Sequence, residues 1–231
     1  MSDAISPQQF HDADGLEDWR VLLRRAHSVF RTGSFAVGVA LVDAIGRLAD
    51  AANHHPDVDL RYSCVVVRLS SHDVGGLSER DVALARGISR AAAALGVTAD
   101  PAATLELEIA VDAMSRPAVR AFWHAVLAYD EVPIPGVAES AEARELNDPL
   151  GHGPAFWFQQ MDVPRTERNR IHVDVTVPHD VARARVDAAL AAGGRLVSAE
   201  HAPAFWVLAD AEGNEACVST WQGREAPEPT T

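Results

Sequence analysis

The chain has 231 residues, with 33 acidic side chains against 20 basic ones and a net charge of −13 when histidine is neutral. Every basic side chain is arginine, and so large an acidic excess repels nucleic acid and anionic membranes unless a local basic face overrides it. A composition of 48% hydrophobic and 23% charged residues excludes a wholly disordered chain and leaves material for one or two cores. We therefore expect no nucleic-acid partner and no membrane partner. The longest apolar runs, such as 64–67, fall far short of the roughly 18 residues of a membrane span. The acidic N-terminus lacks the regions of a signal peptide, so a cytoplasmic protein is the expectation. Cys64 and Cys217 have no CxxC or Cys/His spacing, which points to packing as small hydrophobes rather than to a disulfide or zinc knuckle.

In chain order, residues 18–32 mix aromatic, aliphatic and basic side chains in a way that suits a strand pair. Residues 34–52 read as a helix, with Ser34 as N-cap and Phe35, Val39, Val42, Ile45, Leu48 and Ala49 at spacings of three and four. Pro56 cannot continue it and disfavours helical geometry at His55, so His54 and His55 fall just past its C-terminus. Residues 60–69 read as a strand with Val65, Val67 and Leu69 on one face, followed directly by His72. A second helix starts near Leu77, where Ser78 and Asp81 have capping-box spacing. Its Ala-rich end at 91–95 meets Gly96 and then Pro101, which places a domain boundary at 97–103. The expected division is 1–98, 103–223 and a loose tail at 224–231, whose last seven residues hold two prolines and little apolar content.

The second part carries an internal echo of about 65 residues. A strand at 105–112 precedes a helix at 117–127, and a strand at 170–177 precedes a helix at 180–192. Late apolar strands follow at 155–161 in the first unit and at 204–208 and 215–220 in the second. Two packed modules of this kind leave a cleft between them. The fold class expected is α+β, the first domain alternating hairpins and helices and the second a pair of modules, each a strand and a helix followed by later strands.

The densest set of chemically able residues is His54, His55 and His72, with Asp50 one turn before the pair and Asp81 after it. Imidazoles titrate near neutrality and suit general acid and base work, and a helix C-terminus stabilises an imidazolium. The competing reading is of surface or structurally satisfied histidines, with Asp50 a solvated helix carboxylate and Asp81 a cap. His124, His152, His179 and His201 have no partner spacing and read as surface residues. Gly75-Gly76 and Gly193-Gly194 read as turn glycines, since neither extends to a phosphate-loop pattern.

The run Asn53-His54-His55-Pro56-Asp57, then Tyr62, the strand 65–69 and Ser71-His72-Asp73-Val74-Gly75-Gly76-Leu77-Ser78-Glu79-Arg80-Asp81 resembles the pterin-4a-carbinolamine dehydratases. The likeness extends from about Trp19 to Ala94 and includes the lead 30–35 into the first helix. It implies four antiparallel strands with helices on one face, and dehydration of 4a-hydroxytetrahydropterin to quinonoid dihydropterin. It also implies catalytic roles for His54, His55 and His72, with Asp50, Asn53, Pro56 and Asp81 around the substrate. Which imidazole is acid and which is base stays open. No cofactor is implied, and a homo-oligomer with a small-molecule pterin as partner is expected. Two departures stand out: Asn53 where the family usually has Asp, and Val58 where it often has an aromatic residue. They remove an anionic orienter and a stacking wall for the pterin ring.

The second part resembles the glyoxalase-like members of the vicinal oxygen chelate group. The likeness rests on Ala121-Phe122-Trp123 with Leu127, on Trp157-Phe158-Gln159, on 169–175 and on Ala209-Asp210-Ala211-Glu212-Gly213-Asn214-Glu215. Metal-dependent members take ligands from the first and last strands of each module. His172 and Glu215 match two of those places, while Leu105 and Gln159 are expected at the other two, so a metal-free cleft is favoured and His172 could instead be a hydrogen-bonded interior residue. Trp123, Trp157 and Trp206 read as core or cleft wall. The alternatives to a dehydratase are a catalytically weak pterin-binding or dimerisation module, and a lyase or isomerase acting in the C-terminal cleft.

Overall fold

The computed structural model describes residues 4–134, 140, 143–165, 167, 172–220 and 222–223. The chain divides into two units, 1–106 and 107–231. Asn169, Arg170 and Ile171, and the tail from residue 224, lie outside the described residues.

The first unit opens with β1 (Ala4–Ile5) and α1 (Pro7–Asp12). Ser6 caps α1, accepting from the Gln9 N–H while the Gln9 side chain accepts from the Ser6 N–H. The expected strand pair is β2 (Arg20–Leu22) and β3 (Arg25–Arg31). The first long helix, α2 (Phe35–Ala52), starts at Ser34, whose hydroxyl accepts from the Val37 N–H. The single strand expected at 60–69 is a hairpin instead, β4 (Asp57–Leu60) and β5 (Cys64–Leu69), closed by the Arg61 N–H donating to the Cys64 carbonyl at 2.8 Å. Its turn contains no glycine or proline, so composition does not mark it. On β5, Val65, Val67 and Leu69 are fully buried, as alternation requires.

The short β6 (Leu77–Ser78) pairs with β1 and leads into α3 (Glu79–Ala94). After Gly96, β7 (Thr98–Ala99) returns to β3. The sheet runs β2-β3-β5-β4, the four expected antiparallel strands, with β7 sharing the β3 edge with β2. Arg31 grips Asp100 through Nε and Nη2 at 3.1 and 2.8 Å. The segment after the glycine stop is therefore stitched to the first sheet, and the contact boundary falls between Glu106 and Leu107. Trp19, Phe10, Phe30, Leu41, Ile45 and Ile88 form the centre of the core, and the Trp19 indole N–H donates to Ser89.

The second unit repeats one pattern twice. The first module is β8 (Glu108–Ala113), α4 (Arg116–Leu127), β9 (Asp130–Pro133), β10 (Arg144–Asn147) and β11 (Ala155–Gln160). The second is β12 (Val173–Thr176), α5 (Ala182–Ala191), β13 (Arg195–Ser198), β14 (Phe205–Ala209) and β15 (Glu215–Ser219). Both sheets have the first strand parallel to the last and the others antiparallel, in the orders β8-β11-β10-β9 and β12-β15-β14-β13. One core joins them, with Phe122, Trp123, Phe156, Val186, Leu208 and Val218 all buried. A Cβ on Gly194 would collide with the Phe122 ring, so only glycine fits where the end of α5 crosses α4.

Candidate active site

His54 and His55 occupy their places because of how α2 stops. Asn53 takes the left-handed conformation at φ 45°, which Asn tolerates better than most residues. The His54 N–H then reaches back to the Ala49 carbonyl at 3.1 Å, the bond that closes a left-handed helix end. This local demand gives a physical role to Asn at position 53. Pro56 follows half-buried and β4 begins at Asp57. Val58 packs against the first core.

His54 is 8% exposed, and its Nε2 lies 2.7 Å from Oδ1 of Asp81, a residue with no exposed surface. The other carboxylate oxygen, Oδ2, accepts from the Ser78 N–H and the Ser71 hydroxyl, each at 2.8 Å. The Ser78 hydroxyl lies 2.7 Å from Ser71 Oγ and also accepts from the Arg80 N–H. Asp81 is thus a helix cap and a histidine partner at once: one oxygen serves the start of α3 and the other faces the imidazole. Its place in the first turn of α3 further favours negative charge. A carboxylate with these donors is an acceptor only, so the neutral imidazole carries its proton on Nε2 and leaves Nδ1 with a lone pair.

His72 stands in a single 3-10 turn, His72–Val74, that ends at Gly75 with φ 64°. Ser71 and Gly76 close the loop by exchanging backbone hydrogen bonds. Ser71 therefore ties the loop bearing His72 to the carboxylate that holds His54. Beside it, Arg80 Nη2 donates to both Asp73 oxygens at 2.7 and 2.9 Å. That bond, with the charge of Arg80 adding, holds the Asp73 carboxyl below the usual range. His72 is exposed, and its side chain has no hydrogen-bond partner among the described residues. His55 is also exposed, its Nε2 3.0 Å from Asp50 Oδ1. Three of the four side chains in the buried network, His54, Ser78 and Asp81, are legible in the sequence. Ser71 is not, since nothing in its spacing to Asp81 marks it.

A second histidine of this unit is buried differently. His27 is 2% exposed, and burial, with Arg68 and Arg25 adding, lowers its pKa to about 4 although Glu106 Oε1 lies 3.3 Å from Nε2. That approach lacks hydrogen-bond geometry, so the desolvation outweighs it.

In the second unit the strand registers correct the sequence reading of the cleft. Glu108 faces Ala155 across β8 and β11, and Val173 faces Ala216 across β12 and β15, which sets His172 against Glu215. Leu105 lies before β8 and Gln159 faces Asp112, so the two do not face each other as His172 and Glu215 do. Leucine has no donor atom, so the residues expected at the four places do not complete a four-ligand set. His172 is not interior: its side chain is about half exposed, with Nε2 3.4 Å from Asp174 Oδ1. A cavity of about 340 Å³ runs beside it, lined by Trp123, Phe156, Arg165, His172 and Glu215 among others. Trp123 is buried, Trp206 nearly so, and Trp157 half-buried. Cys64 and Cys217 are both free thiols. Burial pushes the Cys217 thiol up to about 11, helped by its hydrogen bond to Asp174 and by the charges of Asp174 and Glu215.

The family described as pterin 4 alpha carbinolamine dehydratase matches residues 3–91. A relative from Nocardia farcinica, which carries that enzyme's name as an inferred one, is 39% identical over 95 residues, covering 39% of this chain and 97% of the relative. The chain belongs to the pterin-4-alpha-carbinolamine dehydratase family. A second such relative, from Thermomicrobium roseum, is 42% identical over 92 residues, covering 40% of this chain and 96% of its own length. Residues 108–219 match the family described as glyoxalase-like domain. A solved glyoxalase/bleomycin resistance protein/dioxygenase family enzyme from Burkholderia phytofirmans is 18% identical, covering 49% of this chain and 95% of that one at a TM-score of 0.40. No helix among the described residues is long and apolar enough to cross a membrane.

Proposed function

We propose that the first unit is a dehydratase acting on a 4a-hydroxytetrahydropterin, with His54 as the base. The supporting observation is the buried Asp81 carboxylate, which binds His54 Nε2 through one oxygen and the His72 loop, by way of Ser71, through the other. In the reaction the C4a–O bond breaks, a proton joins the departing hydroxyl to make water, and a ring nitrogen loses a proton. His54, with Nδ1 free, takes the ring proton. Asp81 then faces an imidazolium, whose charge it stabilises. A solvent-facing imidazole, His55 or His72, supplies the proton to the hydroxyl and is recharged from water. Asp50, Asn53 and Pro56 border these groups from the end of α2.

The test is the dehydration rate of chemically generated 4a-hydroxytetrahydropterin, followed by ultraviolet absorbance. The intact chain accelerates it, and His54→Ala loses about 10²–10⁴-fold, the range of a positioned proton-transfer group. Of His55→Ala and His72→Ala, the larger loss identifies the acid. A rate equal to buffer for the intact chain would reject the reading in favour of a pterin-binding module.

A further inference from the structure

We propose that His172, Asp174 and Cys217 form a zinc site in the second unit, built within one module and sharing only His172 with the four places considered above. His172 and Asp174 are two residues apart, so they project from the same face of the strand. Cys217 lies directly across from Asp174 in the parallel register of β12 and β15. The nitrogen, oxygen and sulfur ligand atoms of the three all lie within 4.8 Å of one another, and theirs is the only such group of three or more among the described residues. Four ligands at zinc bond lengths stand about 3.4–3.8 Å apart in a tetrahedron. The 3.4 Å between His172 and Asp174 already matches that edge.

The donor set selects the metal. An imidazole, a carboxylate and a thiol suit borderline-soft zinc, whereas magnesium and calcium take oxygen. A cavity of about 340 Å³ opens onto all three residues, walled by Phe205 and Val207. That space lets the ion enter and leaves a fourth position for water. Binding converts the Cys217 thiol to a thiolate and releases its proton to solvent.

The experiment uses the full chain without a histidine tag. Zinc is titrated in competition with a chromophoric chelator, and cobalt(II) is substituted to read the ligands. The expected result is one zinc per chain and a sulfur-to-cobalt charge-transfer band in the near ultraviolet. The band persists in Glu215→Gln and Cys64→Ser and disappears in Cys217→Ser. Asp174→Asn, on an exposed side chain that folding does not need, weakens zinc at least tenfold while the band remains at saturation. Three results would overturn the site: no stoichiometric zinc, cobalt bound without the band, or binding lost in Glu215→Gln but kept in Cys217→Ser.

Discussion

Asp81 and Asp210 are two carboxylates with no exposed surface, one in each unit, and both are fully supplied with donors. Asp210 Oδ1 accepts from the Glu212 and Asn214 N–H groups, and Oδ2 from the Asn214 side chain and the Trp123 indole. All of these partners keep their charge state, so Asp210 is a staple between α4 and the turn joining β14 to β15. Asp81 caps α3 in the same manner with one oxygen and faces a titratable ring with the other. On the proposed function, burial and full hydrogen bonding therefore do not distinguish a structural carboxylate from one that serves a base. The protonation freedom of the partner does.

The sharpest way to break this comparison is to replace each carboxylate by its amide. Both Asp81→Asn and Asp210→Asn should lose about 3 kcal/mol or more of stability, because each turns one of two accepting oxygens into an amide donor that faces buried donors. Well below the melting temperature, however, Asp81→Asn should lose about 10²–10⁴ in dehydration rate while Asp210→Asn keeps the native rate. Equal losses in a steady-state assay would reduce the difference to stability alone.

A second contrast is between His54, held by a carboxylate, and His27, held neutral. In the folded chain His27 titrates at about 4, below its ordinary value of about 6.5. As pH falls, the unfolded chain takes up the proton first. The neutral form's contribution is therefore intact above about pH 6.5 and is lost between there and about pH 4, amounting to about 3 kcal/mol. Urea midpoints across that window should fall steeply for the native chain and much less for His27→Gln.

Smaller effects refine the picture. Ser71→Ala removes one donor from Asp81 and should cost about 1 kcal/mol, read by thermal melting, with a reduced dehydration rate as the His72 loop loosens. Asp174→Asn removes a carboxylate that also faces a histidine, but on the surface, and its stability should stay within about 0.5 kcal/mol of native.

Much of this was legible in the sequence wherever the signal is local. The Ser34 cap, the Ser78 and Asp81 capping box and the alternation at 65, 67 and 69 all follow from neighbours a few residues apart, and the paired modules show as an echo of about 65 residues. The Ser6 and Gln9 box at the start of α1 has the same signature and could have been found the same way. What escaped depends on pairing across the fold. The β4–β5 turn at 61–63 has no glycine, proline, asparagine or aspartate, and Ser71 meets Asp81 only where the loop 71–76 folds back on the start of α3. His172 comes to face Glu215, and Asp174 to meet Cys217, only through the parallel register of β12 and β15. Strand register cannot be read from one strand alone.

The central claim is that Asp81 fixes the proton of His54 on Nε2 and leaves Nδ1 as the base. It is tested most directly by long-range proton–nitrogen correlation spectra of the imidazoles in the full chain, recorded where His54 is neutral. The account predicts a protonated Nε2 and a bare Nδ1 for His54, with that preference lost in Asp81→Asn. A proton on Nδ1 in the native chain would contradict it.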